Sequence, residues 1–162
     1  MHHVFLGVGG NIGNKQQNLE NVRLYIKKEI GEVVKQSSVY ETPPWGFLAD
    51  EDFWNQVLLV ETNLEPEELL LAIQRIEGWF GRTHDAEYYA SREMDIDLLY
   101  YDDRVIASDQ LIVPHPRIAQ RLFVVVPLTE IAPLFQHPVL KMTSRQLFEN
   151  CSDDSAIRRI EL

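Results

Sequence analysis

The chain has 162 residues, with 25 acidic side chains against 15 basic ones and a formal charge of −10. That length can bury a hydrophobic core unaided, and Cys151, as the one cysteine, excludes an intrachain disulfide. The acidic balance argues against general nucleic-acid binding, no apolar run approaches the ~18 residues of a membrane span, and the first residues lack a secretion signal, so a cytoplasmic protein is expected.

In chain order, residues 4–8 read as a short buried strand ending in the turn signal Gly9-Gly10-Asn11-Ile12-Gly13-Asn14. Leu19, Val22, Ile26 and Ile30 recur at helical spacing, and Gly31 is expected to end that helix. Residues 33–40 read as a second strand. Thr42-Pro43-Pro44-Trp45-Gly46 can be neither helix nor central strand and reads as an ordered loop. Residues 55–62 form a third strand. Pro66 suits the first position of a helix, with Glu67 and Glu68 at its positive end and Leu69, Leu70, Ile73, Ile76 and Phe80 as its core face. Gly81 is expected to stop it. A polar stretch follows over 83–91, then a fourth strand over 94–101, which Asp102-Asp103 is expected to turn into a hairpin with 104–106.

Val113-Pro114-His115-Pro116-Arg117 reads as a rigid loop. Short helices are expected over 118–122 and 124–131, broken by Pro127 and Pro133, with a last helix over 144–150 and a closing strand over 156–160. The order β-α-β-β-α-β plus a hairpin gives an α/β (α+β) class. The expected fold is a ferredoxin-like sandwich, a largely antiparallel sheet flanked by helices, as a single domain over 1–162.

Arg92-Glu93-Met94-Asp95-Ile96-Asp97-Leu98-Leu99 is the most informative segment. On a strand, Asp95 and Asp97 point one way and Met94, Ile96 and Leu98 the other. Two parallel carboxylates repel, and a divalent cation relieves that repulsion; magnesium typically takes one or two carboxylates plus substrate phosphates. The solvated face of an edge strand is the other reading, and Asp-x-Asp also serves glycosyltransferases and nucleases.

Arg82, His84, Arg92, His115, Arg117 and Arg121 fall in or beside the loops that bracket this strand. Arginines with metal-holding carboxylates are the recurring equipment of phosphoryl transfer, although each arginine alone reads equally as a solubility residue. His115, between two prolines, is rigidly aimed, towards either a ligand or the core. The glycine run matches neither GxxxxGK[ST] nor GxGxxG, so its glycines read as a tight strand-to-helix turn. Trp45, Phe53, Trp54, Tyr88, Tyr89 and Phe123 sit in loops or at element ends, as core aromatics or as a stack for a flat heterocycle whose edge Asn55 could read.

The residues alone leave three classes: a metal-dependent phosphotransferase, a metal-dependent phosphoester hydrolase, and a ferredoxin-like binding module. The hydrolase normally needs more metal ligands than the Asp95 strand carries, and the binding module needs neither the Asp pair nor the arginines.

A run of segments then carries a specific resemblance. These are Gly9-Gly10-Asn11, Tyr40-Glu41-Thr42-Pro43-Pro44-Trp45-Gly46, Phe53-Trp54-Asn55, Gln74-Arg75-Ile76-Glu77, Gly81-Arg82, Arg92 to Asp97, Val113 to Arg117, Arg121-Leu122-Phe123 and Pro127 to Pro133. In this order they cover nearly the whole chain, which resembles the 6-hydroxymethyl-7,8-dihydropterin pyrophosphokinases of folate biosynthesis. The resemblance implies transfer of pyrophosphate from ATP, the co-substrate, to the pterin hydroxymethyl group, with release of AMP. It implies two Mg2+ on Asp95 and Asp97, with Arg82 and Arg92 closing on ATP as catalytic arginines. Gln74, Glu77, His84, Leu98, Ile112, His115, Arg117 and Arg121 would border the nucleotide. Thr42, Pro43, Trp45, Phe53, Asn55, Tyr89 and Phe123 would hold the pterin, with Phe53 and Phe123 sandwiching the ring. A monomer with no nucleic-acid or membrane partner is expected, and the loop carrying His84 and Tyr89 is expected to be mobile without ligands. The chain departs from the family pattern at Gly10 (often Ser), Phe53 (often Tyr), His84 (commonly Arg), Tyr88 (usually basic) and Tyr89 (commonly Trp).

Overall fold

The computed structural model describes residues 1–43, 51–80 and 93–162. The elements are β1 (His2–Gly10), α1 (Lys15–Glu29), β2 (Gly31–Gln36), β3 (Val39–Thr42), β4 (Phe53–Thr62), α2 (Pro66–Trp79), β5 (Asp95–Tyr101), β6 (Ile106–Ala107) and β7 (Ile112–Val113). After a single 3-10 turn (Ile118–Gln120) come α3 (Leu122–Ile131), α4 (Ser144–Glu149) and β8 (Arg158–Ile160).

The main sheet runs β5-β1-β4-β3-β8, with β2 also on β4, and every pairing is antiparallel. One face is closed by α1 and α2. Val4, Leu6 and Val8 of β1, Leu58 and Val60 of β4, and Ile96 and Leu98 of β5 pack there against Leu19, Val22, Ile26, Leu69, Ile73 and Ile76. On the other face Phe5, Val57, Leu99 and Tyr100 pack against α3 and α4 through Val124, Val125, Leu128 and Leu147. This is the expected α+β sandwich.

Local chemistry sets the helix ends. Asn14 caps α1 by accepting the Gln17 N–H at 3.1 Å, and Lys27 and Lys28 sit in its negative last turn. Pro66 opens α2, and Glu68 Oε1 accepts the Glu65 N–H at 3.0 Å. Thr143 and Gln146 form a capping box on α4.

Several sequence expectations are corrected. Residues 33–40 form two strands rather than one. Ser37 interrupts them, its Oγ accepting the Val57 N–H at 2.9 Å, so a side chain takes the place of a ladder bond. Gly31 follows the α1 cap Ile30, as expected, but it also opens β2, where a Cβ would overlap the Glu61 carbonyl on β4. Leu70 is only half-buried, and Ala72 takes its place in the core. Asp102-Asp103 makes no hairpin with 104–106. Asp102 accepts from the His3 backbone N–H and pairs with His2, while β6 pairs with β7. Finally, α3 continues through Pro127, since Val124, Val125, Leu128 and Ile131 bury a common stripe on both sides of it and offset the lost bond.

Candidate active site

The site begins with the alternation of three strands. Gly9 is directly opposite Asn55 of β4 on one side and Asp95 of β5 on the other; Gly7 lies likewise between Val57 and Asp97. Residues opposite one another in a sheet share a face. Asn55, Asp95 and Asp97 therefore project on the α3 side, and neighbouring strands about 4.8 Å apart put Asn55 and Asp95 about 10 Å apart across β1. Between them two glycines contribute no side chain, which lowers this strip of the sheet face to a trough into which the Asn55 amide and Leu99 lean.

Gly9 is required for this arrangement. A Cβ there would overlap Asn55 Oδ1 and the Trp54 carbonyl, whereas one on Gly7 would rest at ordinary contact, 3.7 Å, on Leu99. The glycines read from sequence as a turn therefore lie inside β1, and the turn starts at Asn11. A glycine alternating with the apolar residues of a strand, Leu6-Gly7-Val8-Gly9, was the signal for this. Asn11 is fully buried and donates to the Glu51 carbonyl at 3.2 Å.

A bulge sets the apolar end of the trough. Leu6 pairs with Leu98 but Phe5 pairs with Tyr100, so Leu99 is an extra residue. Leu99 and Tyr100 consequently both reach the α3 face and Tyr101 returns to the α1–α2 face. The α3 face thus changes from apolar packing at Leu99 to carboxylates at Asp97 and Asp95.

The loop 113–121 borders the carboxylates. Its His115 N–H donates to the Leu99 carbonyl at 3.0 Å, fastening it to β5. The Arg117 N–H donates to His115 Nδ1 at 3.1 Å, which leaves the imidazole proton on Nε2. Burial, then Arg121 and Arg117, push the His115 pKa down to about 4, against the opposing pull of Asp95. At neutral pH His115 is therefore an uncharged N–H donor beside Asp95 and two arginines. Arg121 stands at the start of α3 with its guanidinium 5.3 Å from the centre of the Phe123 ring. Asp153 steadies this start by accepting the Leu122 N–H at 3.0 Å. Burial works to raise the Asp153 pKa, yet bonds from Ser155 and Leu122 hold it lowered.

On the far side, Thr42 is paired with Phe53 and Tyr40 with Asn55, so the Thr42 and Phe53 positions continue the same face. Phe53, Asn55, Asp95, Asp97, His115, Arg117, Arg121 and Phe123 are all half-buried. Thr42 is buried and Pro43 exposed.

Other expected residues fall elsewhere. Leu98 is 6% exposed and packs in the core under α1 and α2, on the face opposite Asp95 and Asp97, so only its backbone can border a nucleotide. Ile112 is exposed on β7 and Gln74 is exposed on α2. Glu77 is buried, and its carboxylate accepts the Ile96 N–H. Trp45, Arg82, His84, Tyr88, Tyr89 and Arg92, with the expected mobility of their loop, lie outside the described residues. Among the described residues no group of three or more metal-type side chains forms, and no helix is long and apolar enough to cross a membrane.

The family model of 7,8-dihydro-6-hydroxymethylpterin-pyrophosphokinase matches residues 5–133. The chain belongs to that family. It is 41% identical over 143 residues to 2-amino-4-hydroxy-6-hydroxymethyldihydropteridine pyrophosphokinase of Aquifex aeolicus, covering 87% of each chain. The Bacillus subtilis protein of the same name is 40% identical over 128 residues, covering 78% of this chain and 76% of that one. A folic acid synthesis protein of Dictyostelium discoideum is 35% identical over 157 residues, but the chain spans only 24% of it. Among solved structures, the HPPK-DHPS of Plasmodium falciparum superposes with a TM-score of 0.74 at 18% identity, over 92% of this chain and 43% of that one. That likeness shows the shared fold, in a chain more than twice as long. Membership of the family makes the chain a pyrophosphokinase of folate biosynthesis, acting between ATP and hydroxymethyldihydropterin.

Proposed function

We propose that the trough holds the pterin on the Asn55 side of Gly9 and the ATP phosphates on the Asp95–Asp97 side. The observation that carries this is the placement of Asn55 and the two carboxylates on one sheet face, separated by a glycine that cannot bear a side chain. The hydroxymethyl oxygen, delivered from the Asn55 side, attacks the β-phosphorus of ATP. The bond from the β-phosphorus to the oxygen bridging the α-phosphate breaks, the hydroxyl proton leaves to solvent, and AMP departs.

Asp95 and Asp97 suit Mg2+, with two ions as the count. They are oxygen donors at alternate strand positions, and without a third metal-type side chain among the described residues the remaining coordination falls to phosphate and water, as magnesium prefers. Bound there, the metal neutralises charge on the transferred group. Asn55 offers both a donor and an acceptor to the edge of the heterocycle, and Phe53 and Phe123 its faces. His115 Nε2–H and Arg121 donate to phosphate oxygens. Because His115 is neutral, it does so without pairing off the carboxylates. Arg82 and Arg92 supply further positive charge, Gln74 and Arg117 border the nucleotide, and Thr42, Pro43, Trp45 and Tyr89 the pterin. Residues 1–162 act as one domain, monomeric and cytoplasmic.

The test is product identity. Protein, ATP, Mg2+ and the reduced pterin alcohol together yield AMP, and omission of Mg2+ abolishes it. Formation of ADP, or of free phosphate without the pterin, contradicts the proposal.

A further inference from the structure

Glu77 lies near the end of α2 with its side chain turned inwards, 9% exposed. Its Oε2 accepts the Ile96 backbone N–H at 2.9 Å, and Ile96 is the residue between Asp95 and Asp97. Among the described residues β5 is an edge strand, with β1 on one side only. In an antiparallel pair every second residue turns its backbone N–H and C=O away from the partner strand. The Ile96 N–H is turned outwards, to α2, so the backbones of Asp95 and Asp97 are turned towards β1, where they stand opposite Gly9 and Gly7.

The Asp-Ile-Asp segment is therefore held from both edges, by β1 on one and by Glu77 on the other. Asp95 is also the first residue of its strand. Strand ends are where opening costs least, and an outward amide on an edge ordinarily has only water to bond. Here a carboxylate takes that position although its burial carries a desolvation cost, which the N–H bond offsets.

We infer that Glu77 is a positioning residue: by accepting the Ile96 N–H it fixes the backbone from which Asp95 and Asp97 project, and with it the spacing of the two carboxylates. This rests on the metal-holding role proposed for the pair, and it gives Glu77 a task other than bordering the nucleotide. Groups that orient metal ligands from behind typically affect metal affinity or turnover by about 10–100-fold.

Two conservative variants separate the possibilities. Glu77→Gln keeps the length and an acceptor oxygen but loses the charge. Glu77→Asp keeps the charge but is one methylene short of Ile96. Hydrogen exchange of the Ile96 amide is read by NMR on the ligand-free protein, Mn2+ affinity by calorimetry with a non-hydrolysable ATP analogue, and kcat and KM for ATP from AMP formation. For Glu77→Asp the inference expects Ile96 exchange to accelerate about tenfold or more and Mn2+ affinity and kcat to fall about tenfold or more. Glu77→Gln stays within about threefold of the parent in all three. The reverse order, with Gln impaired and Asp intact, would show that the charge matters and overturn the inference. So would a raised KM for ATP in both variants with Ile96 exchange and Mn2+ affinity unchanged. If the parent protein formed no AMP, the proposed reaction would fail; Ile96 exchange, read without ligand, would still decide whether Glu77 holds the strand.

Discussion

Towards α1 and α2, β1 presents Val4, Leu6 and Val8; towards α3 the same strand presents Phe5, Gly7 and Gly9. The partner strands follow suit. Leu58 and Val60 with Ile96 and Leu98 close the first face, while Asn55 with Asp95 and Asp97 open the second. One face is apolar except at the buried Gln56, whose Oε1 accepts from Arg23 at 2.8 Å, and is complete in itself. The other is apolar only as far as the Leu99 bulge, beyond which small and charged residues leave room and charge for something else. The difference teaches that the second face uses only part of its area for a core, which leaves the rest free to hold groups that would weaken one.

That contrast can be broken from either face. Asp97→Ala carries the largest expected effect: turnover falls by about 100-fold or more while the urea unfolding midpoint stays near that of the parent. Full activity in this variant would remove the metal role. Ile76→Ala, in the closed face, is the converse. A fully buried isoleucine cut to a methyl costs about 2–5 kcal/mol of stability, read by urea unfolding, with kcat of the folded fraction little changed. Gly9→Ala joins the two faces, since its Cβ meets both the Trp54 carbonyl and Asn55. It is expected to cost about 1–3 kcal/mol and to raise the KM for the pterin alcohol.

Much of this contrast is legible in the sequence. Strand alternation alone puts Asp95 and Asp97 on one face and Ile96 and Leu98 on the other, and the structure agrees. The helices were equally readable, because Leu19-Val22-Ile26 and Leu69-Ile73-Ile76 repeat at helical spacing and Pro66 marks a start. What failed was set by partners distant in sequence. Gly9 and Gly10 read as a turn because glycine marks turns, and only the approach of Asn55 across the sheet shows why Gly9 stands in a strand. The Leu99 bulge has no local signature. Asp102 looked like a hairpin turn, but its bonds to His2 and the His3 N–H, a hundred residues away, decide its conformation. Glu77 resembled a nucleotide-side residue, and its contact with Ile96 depends on how α2 packs on β5.

Smaller effects sharpen the comparison further. Burial lowers the pKa of His137, whose Nδ1 accepts the Val139 and Leu140 N–H groups at 3.2 and 3.0 Å, and His115 is lowered to about 4. Both bind protons more weakly folded than unfolded, so stability is complete above pH ~6.5 and declines as pH falls towards 4. Urea unfolding at pH 7 and pH 5 checks this, and His137→Gln is expected to flatten the slope. The weakest prediction concerns the rim. Arg158 is exposed and donates to Glu41 at 2.7 Å, and Arg158→Ala costs only about 0.5 kcal/mol.

The central claim is that one sheet face seats the acceptor on one side of Gly9 and the phosphates on the other. Steady-state kinetics of Asn55→Ala test it most directly. Loss of a hydrogen-bonding edge raises the KM for the pterin alcohol about tenfold or more while the KM for ATP stays within about twofold. An unchanged pterin KM, or an equal rise in both, would contradict that division of the site.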